Sequence, residues 1–234
     1  KARAIAQSAR DDLTGLANRR SVLETLEAAL RNGDGRLSVI HADLDGFKEV
    51  NDAYGRDIGD RLLKATAAGL AFLAGPKHVV ARFGGDEFAI VVMGEDHAEA
   101  AHVLAGHIVE FLSAPMVFEG RVASVTASIG IAHAFPQAEA EELLRRADIA
   151  MYAAKDNGRN RIHLYQMQDS ELAKRRGEMQ WVNRIQLAIA ENRLRLYFQQ
   201  IKPLHTADAG LHVELLLRMI DETGQCILPM ACIP

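Results

Sequence analysis

The chain is expected to fold as an α/β protein of the α+β kind, with a largely antiparallel sheet packed by helices. Two observations carry that expectation. Apolar runs joined by short turns occur in pairs at 78–93 and 116–132, and such pairs form β-hairpins. Around them lie stretches with apolar residues at helical spacing. Hairpins mixed with helical crossovers give sheets of mainly antiparallel strands.

Each element has its own signal. Residues 18–31 place Val22, Leu23, Leu26 and Leu30 on one helical stripe, which Asn32-Gly33 ends. Residues 37–43 are β-branched and aliphatic and predict a strand. A short helix over 47–54 follows, then a longer one over 57–73 with Ile58, Leu62, Thr66, Leu70 and Leu73 on one face. The first hairpin takes 78–83 and 88–93 around a Gly84-Gly85 turn. A helix over 97–112 precedes the second, with arms 116–118 and 122–132 around Glu119-Gly120-Arg121. The helix over 139–155 stops at Gly158, and 161–165 is a strand. Farther on, Met179, Val182, Ile185 and Ile189 mark a helix within 171–191, and strands are expected at 194–201 and 213–218. There are no repeats or low-complexity stretches.

Composition bounds the function. With 234 residues, 49% hydrophobic and 25% charged, the chain has the make-up of a soluble globular protein with a real core. A net charge of −4 and pI near 6.2 give no global reason to expect nucleic acid or a membrane surface as partner. Cys226 and Cys232 lack CxxC spacing, which argues against a disulfide framework or zinc site and for a reducing cytoplasm. No apolar run reaches the ~20 residues that span a bilayer, and no signal peptide is visible. Opening on Lys1 and closing on Pro234 in mid-pattern, the chain is expected to be a piece of a longer protein.

Two acidic clusters carry the chemistry. Gly84-Gly85-Asp86-Glu87-Phe88 puts adjacent carboxylates at a hairpin tip, where their repulsion invites a cation. The second, Asp43-Leu44-Asp45-Gly46-Phe47-Lys48, follows a strand and opens a helix. A carboxylate, free helix N-terminal amides and Lys48 then surround one cavity, which suits a metal-bound triphosphate. No Walker A pattern occurs, so a P-loop is not the route to phosphate. Several other residues read as structural. His97, His102 and His107 recur every five residues and scatter around a helix axis. His41 is expected within a strand, and Leu143, Leu144, Ala147, Ile149, Ala150 and Met151 form a packing stripe. Ser38, Ser113, Ser124 and Ser128 lack a His–Asp pairing in sequence context.

With both clusters in view, residues 11–165 resemble the GGDEF family of diguanylate cyclases. Four motifs agree in order: Asp11-Asp12-Leu13-Thr14-Gly15-Leu16-Ala17-Asn18-Arg19-Arg20, the segment from Asp43 to Asp60, the Gly84 to Phe88 signature, and Met151-Tyr152-Ala153-Ala154-Lys155-Asp156-Asn157-Gly158-Arg159-Asn160. The resemblance implies a palm-like nucleotidyl-cyclase fold with a five-stranded, mainly antiparallel sheet. It implies one GTP per domain and two Mg2+ or Mn2+ ions per active site, held by Asp43, the Leu44 carbonyl and Asp86, with Glu87 as ligand or general base. Phe47 and Lys48 would hold the phosphates, and Lys155 and Arg159, expected four apart on one helix face, would grip them from the other side. Gly84 and Gly85 would let the nucleotide approach the main chain, and Asn51 and Asp60 would read guanine. Asp86, Glu87 and Lys48 are thus the catalytic candidates. Two such domains face to face would close cyclic di-GMP, so a homodimer is expected.

The sequence departs from the family at one place. The inhibitory product site, R-x-x-D, falls on Gly75-Pro76-Lys77-His78 and is expected to be absent. The C-terminal part resembles the opening of an EAL domain, a cyclic di-GMP phosphodiesterase module, with Gln199, Glu214 and Arg218 at matching positions but Gln200 and Leu215 off the pattern. Only that opening is here, so hydrolysis of cyclic di-GMP is not expected of this chain. The expected organisation is a connector helix from an upstream sensor at 1–10, the GGDEF domain at 11–167, and a linker helix with the start of an EAL domain at 168–234. The expected setting is the cytoplasm, or the cytoplasmic part of a membrane-anchored sensor. Three readings stay open: an active cyclase, a GTP-sensing module that regulates the phosphodiesterase, and a dimerisation scaffold.

Overall fold

The nine residues Leu37–Asp45 form strand β1, and eight of them are buried. A strand covered on both faces reads as a nearly continuous apolar run, and β1 is the middle strand of the main sheet. The computed structural model describes residues 9–31, 35–171, 185–201, 212–221 and 224–227. Residues 1–8 of the connector expected at 1–10, the Asn32-Gly33 stop, Met179, Val182 and Cys232 lie outside the described residues.

In chain order the first unit contains α1 (Arg19–Arg31), β1, α2 (Phe47–Tyr54), α3 (Arg56–Ala74), β2 (Val79–Gly84), β3 (Glu87–Met93), α4 (His97–Ser113), β4 (Met116–Phe118), β5 (Arg121–Ala123), β6 (Thr126–His133), α5 (Ala140–Asp156) and β7 (Arg161–Leu164). The sheet order is β2-β3-β1-β6-β7. Every pairing is antiparallel except β6 with β7. These two strands are joined through α5, the helical crossover that a parallel pair requires. The sheet is therefore largely antiparallel, as expected, with one parallel pair at its edge.

Alternation along β1 divides the core. Ile40, Ala42 and Leu44 join Leu63, Ala67 and Leu70 of α3 and Ala101, Leu104, Ala105 and Ile108 of α4. Leu37 and Val39 join Val22 and Leu26 of α1 and Leu143, Leu144 and Ala147 of α5. Helices thus cover both faces, as period-2 side-chain placement demands.

One predicted turn and one predicted strand are corrected. The first hairpin turns at Gly85-Asp86, because Gly84 stays in the ladder opposite Glu87, with a register shift after Arg82. The predicted strand 122–132 is broken at Ser124-Val125: β4 and β5 pair only with each other, while β6 enters the main sheet. The break lets Ala123 and Val125 pack with Val50 of α2 and Ile58 and Leu62 of α3.

Gly130 on β6 sets how closely α5 lies on the sheet. A Cβ there would sit 2.1 Å from the Ala147 carbonyl oxygen and 2.2 Å from the Met151 nitrogen. Both are backbone atoms that cannot step aside, so α5 would have to lift. Gly130 is the register partner of His41.

The second unit, from residue 171 onward, has a helix over 185–190 and strands β8 (Leu194–Ile201), β9 (His212–Ile220) and β10 (Cys226–Ile227) in the order β10-β9-β8. Leu196 pairs with Leu217 and Phe198 with Leu215, all four exposed.

Candidate active site at the hairpin tip

The register of β1 against β3 places Asp43 directly opposite Glu87. Like charges directly opposite across a sheet repel, so this pair needs a compensating cation. Gly84 (φ 131°) and Gly85 (φ 52°) bring the chain around the tip in backbone conformations that side chains avoid. The backbone N–H of Leu44 donates to the Asp86 carbonyl at 3.2 Å, which ties the tip to the end of β1.

The tip is also tied from below. Arg82 donates to the Gly85 carbonyl through Nε (3.0 Å) and Nη2 (2.7 Å). Its Nη1 lies 3.0 Å from both carboxylate oxygens of Asp11. Asp11 also accepts from the Thr14 backbone N–H (2.9 Å) and hydroxyl (2.6 Å). Although burial works to raise the Asp11 pKa, Thr14 and Arg82 outweigh it and hold the carboxyl below its ordinary value. The Asp11 motif therefore buttresses the hairpin, a link invisible in sequence because the two segments are far apart in the chain.

Charge at the tip is in surplus. Burial, together with Asp86 and Glu87, raises the Asp43 carboxyl above its ordinary pKa, against the opposing pull of Lys155. Lys155 Nζ lies 2.8 Å from Asp43 Oδ2. Burial alone would lower the Lys155 pKa, but Asp43 outweighs it and the pKa rises. Lys155 is thus the cation that balances Asp43 here, and its ammonium also sits 5.4 Å from the Tyr152 ring centre. Among the described residues no three His, Cys, Asp or Glu side chains converge on a metal position as they stand. The donor chemistry nevertheless suits a hard divalent cation: all candidate ligands are oxygens, and they carry excess negative charge.

The remaining predicted residues separate into groups. Arg159 is not on the helical face of Lys155, because α5 ends at Asp156 and Arg159 adopts φ 57° in the following turn. The spacing argument fails there. Instead Arg159 Nε comes 3.9 Å from Asp45 Oδ1. Asp45 accepts from Thr126 Oγ1 (2.9 Å), Ser128 Oγ (2.8 Å) and the Asn160 backbone N–H (3.1 Å), and so pins this turn beside β1. Phe47 and Asn51 meet over Gly59 of α3: a Cβ there would lie 1.9 Å from Asn51 Oδ1 and 3.3 Å from Phe47 Cζ. Lys48 and Asp60 stand exposed on the opening turns of α2 and α3. Gly59 was unremarked in sequence, since its role is contact between two helices.

His41 is more than a strand residue. It is 5% exposed on the face of β1 that carries Asp43. Its Nδ1 lies 3.4 Å from Asp148 Oδ1 and its Nε2 3.7 Å from Glu87 Oε2. Burial alone would lower its pKa, but Asp148 and Glu87 outweigh it and raise the pKa. In return His41 is the largest influence on Glu87, whose pKa falls. A cavity of about 850 Å3, lined in part by His41, Phe83, Glu87, Asp148 and Tyr152, opens beside them. The only sequence signal was a polar residue inside a buried apolar run; Asp148 was hidden in the α5 packing stripe. Ser38, read as lacking a His–Asp pairing, lies buried within 2.7 Å of both His97 Nδ1 and His133 Nδ1. That contact joins β1, α4 and β6 inside the fold.

Residues 8–161 match the family model described as diguanylate cyclase, GGDEF domain. The chain is 36% identical over 220 residues to the cyclic di-GMP phosphodiesterase PdeB of Shewanella oneidensis, covering 94% of this chain and 26% of that protein. It is 35% identical over 228 residues to the bifunctional diguanylate cyclase/cyclic di-GMP phosphodiesterase MucR of Pseudomonas aeruginosa, covering 96% and 33%. The chain thus spans about a quarter to a third of these relatives. The GGDEF-only structure of TpbB (YfiN) from Pseudomonas aeruginosa superposes with a TM-score of 0.64 at 32% identity, covering 70% of this chain and 99% of that one. The GGDEF domain of DgcB from Caulobacter crescentus, solved with c-di-GMP, gives 0.63 at 29%, covering 67% and 95%. The expected palm-like fold is present. A mixed five-stranded sheet, a Gly-Gly-Asp-Glu-Phe hairpin against the acidic end of β1, and a family match over most of the chain lead to one conclusion: the chain belongs to the GGDEF, diguanylate cyclase domain family of cyclic di-GMP signalling.

Proposed function

We propose that this domain is a diguanylate cyclase that condenses two GTP into cyclic di-GMP and releases two pyrophosphates. The observation that supports it best is the in-register opposition of Asp43 and Glu87 beside Asp86, with the Lys155 ammonium 2.8 Å from Asp43 as counter-charge. When bound, two Mg2+ or Mn2+ ions held by Asp43, the Leu44 carbonyl, Asp86 and Glu87 would neutralise the triphosphate and acidify the ribose 3′-hydroxyl.

The chain's own groups do the rest. Lys155 leaves Asp43 for a phosphate, and Arg159 joins it from the adjacent turn. Phe47 and Lys48 offer backbone N–H groups at the start of α2, and Lys48 adds its ammonium. Asn51 and Asp60 hydrogen-bond the guanine edge, while Gly84 and Gly85 let the nucleotide close on the hairpin backbone. Glu87 takes the 3′-hydroxyl proton as the new O–P bond forms and the bond from Pα to the departing pyrophosphate breaks. Each domain holds one GTP, so two chains must meet for each 3′-oxygen to reach the other's α-phosphate.

The wider assembly follows the same reading. Residues 11–167 would be the cyclase, residues 1–10 a connector from an upstream sensor, and residues 168–234 the start of an EAL domain, all on the cytoplasmic side. No helix among the described residues is long and apolar enough to cross a membrane. A second reading is favoured by the phosphodiesterase name of PdeB: GTP binding here would regulate an attached phosphodiesterase, with little synthesis. Incubation with GTP and Mg2+ followed by mass analysis separates the two. Cyclic di-GMP and pyrophosphate are expected; GTP bound but unconverted over a range of protein concentrations would overturn the cyclase reading.

A further inference from the structure

Burying an imidazole where an apolar side chain would pack is unfavourable unless its nitrogens are satisfied. In His41 the Nε2 has no hydrogen-bond partner, yet it faces the Glu87 carboxylate at 3.7 Å. Moving Glu87 by about 1 Å would complete that bond. Three neighbours fix the ring for this purpose. Asp148 stands 3.4 Å from Nδ1. Phe83 packs at 5.4 Å between ring centres with a 48° tilt. Gly130, the register partner of His41, lets α5 approach closely enough for Asp148 to reach it. Glu87 itself is 44% exposed beside the cavity and faces Asp43 across the ladder. Left alone, its carboxylate would swing away from Asp43 into that cavity.

We infer that His41 is a positioning residue for Glu87: Asp148 and Phe83 hold the imidazole, and its Nε2–H anchors Glu87 Oε2 so that Oε1 is left for the reaction. The role of Glu87 in this inference rests on the cyclase reading; the anchoring itself does not. A hydrogen-bonded group behind an acidic ligand orients it and raises its effectiveness.

The test uses the chain as it is, with His41→Phe, His41→Gln and Asp148→Asn. Turnover is followed alongside Mn2+ binding, titrated by electron paramagnetic resonance with α,β-methylene GTP present. His41→Phe should lower kcat and weaken Mn2+ about 10- to 100-fold, with KM for GTP within about twofold. His41→Gln, which keeps an N–H near the same place, should recover most of both. Asp148→Asn, at a half-exposed helix position, should leave melting unchanged and shift kcat and Mn2+ binding in the same direction, less far. Wild-type kcat and Mn2+ affinity in both His41→Phe and Asp148→Asn would overturn the inference. So would equal losses in the Phe and Gln variants together with lowered melting, which would mark a packing role. If the wild type binds Mn2+ but makes no product, the cyclase reading fails alone and Mn2+ affinity still decides. If it binds no Mn2+, both fail.

Discussion

Substituting Gly59 by alanine should separate folding from guanine recognition. The new methyl would lie 1.9 Å from Asn51 Oδ1 and 3.0 Å from its Cγ, so the amide cannot keep its position. That amide is the far end of a rotatable side chain, so Asn51 swings aside and the helices need not part. An off-rotamer side chain costs about 0.5–1.5 kcal/mol, while alanine in place of glycine within a helix returns about 1 kcal/mol. Net stability should therefore change by less than about 1 kcal/mol, or only a few degrees in Tm. The loss falls on the base. A guanine hydrogen bond left unmade is worth about 1–3 kcal/mol, which predicts roughly 5- to 150-fold weaker binding of α,β-methylene GTP. Calorimetric titration measures that affinity, and the inosine analogue, which lacks the exocyclic amine, supplies a comparison. A native-like melt with GTP affinity within twofold of wild type would refute the claim that Gly59 holds Asn51 for the base.

Four other outcomes are expected. Asp86→Asn should lower synthesis at least about 100-fold with the fold intact, because it removes a charged oxygen at a turn rather than a core contact; wild-type turnover with unchanged metal dependence would sink the site assignment. With Gly75 and His78 in place of Arg and Asp, added cyclic di-GMP should inhibit weakly, and strong noncompetitive inhibition at about micromolar product would show another surface at work. Specific activity should rise with protein concentration and level off as dimers fill, whereas a flat series over which sedimentation shows only monomer would rule out the two-chain mechanism. Glu142, paired with Arg145 and then Arg146, has its pKa held down to about 2 from 4.5. Its stabilisation is therefore full above the unfolded value and is lost as pH falls from 4.5 toward 2. With Arg145 half-exposed, Glu142→Gln should cost about 0.5–1 kcal/mol at pH 7 in urea unfolding, and the gap should close toward pH 2; an equal gap at both pH values would contradict it.

What the sequence determined by itself is local. Hydrophobic period placed the helices of the first unit and most strands within a residue or two, because burial on one face of a helix or on both faces of β1 leaves a repeating mark in the chain. The two acidic clusters were legible for a related reason: glycine, carboxylate and apolar flanks lie side by side. Tertiary structure decided what depends on approach between distant segments. The parallel pairing of β7 rests on the path of α5, which Gly130 admits to the sheet. The turn after Asp156 moved Arg159 off the helix and set it against Asp45, which spacing alone could not reveal. Arg82 joins Asp11 to Gly85, Gly59 seats Asn51, and His41 stands between Glu87 and Asp148. In each case the partner lies on another element, and the interaction depends on a few ångströms of packing that no one-dimensional pattern encodes.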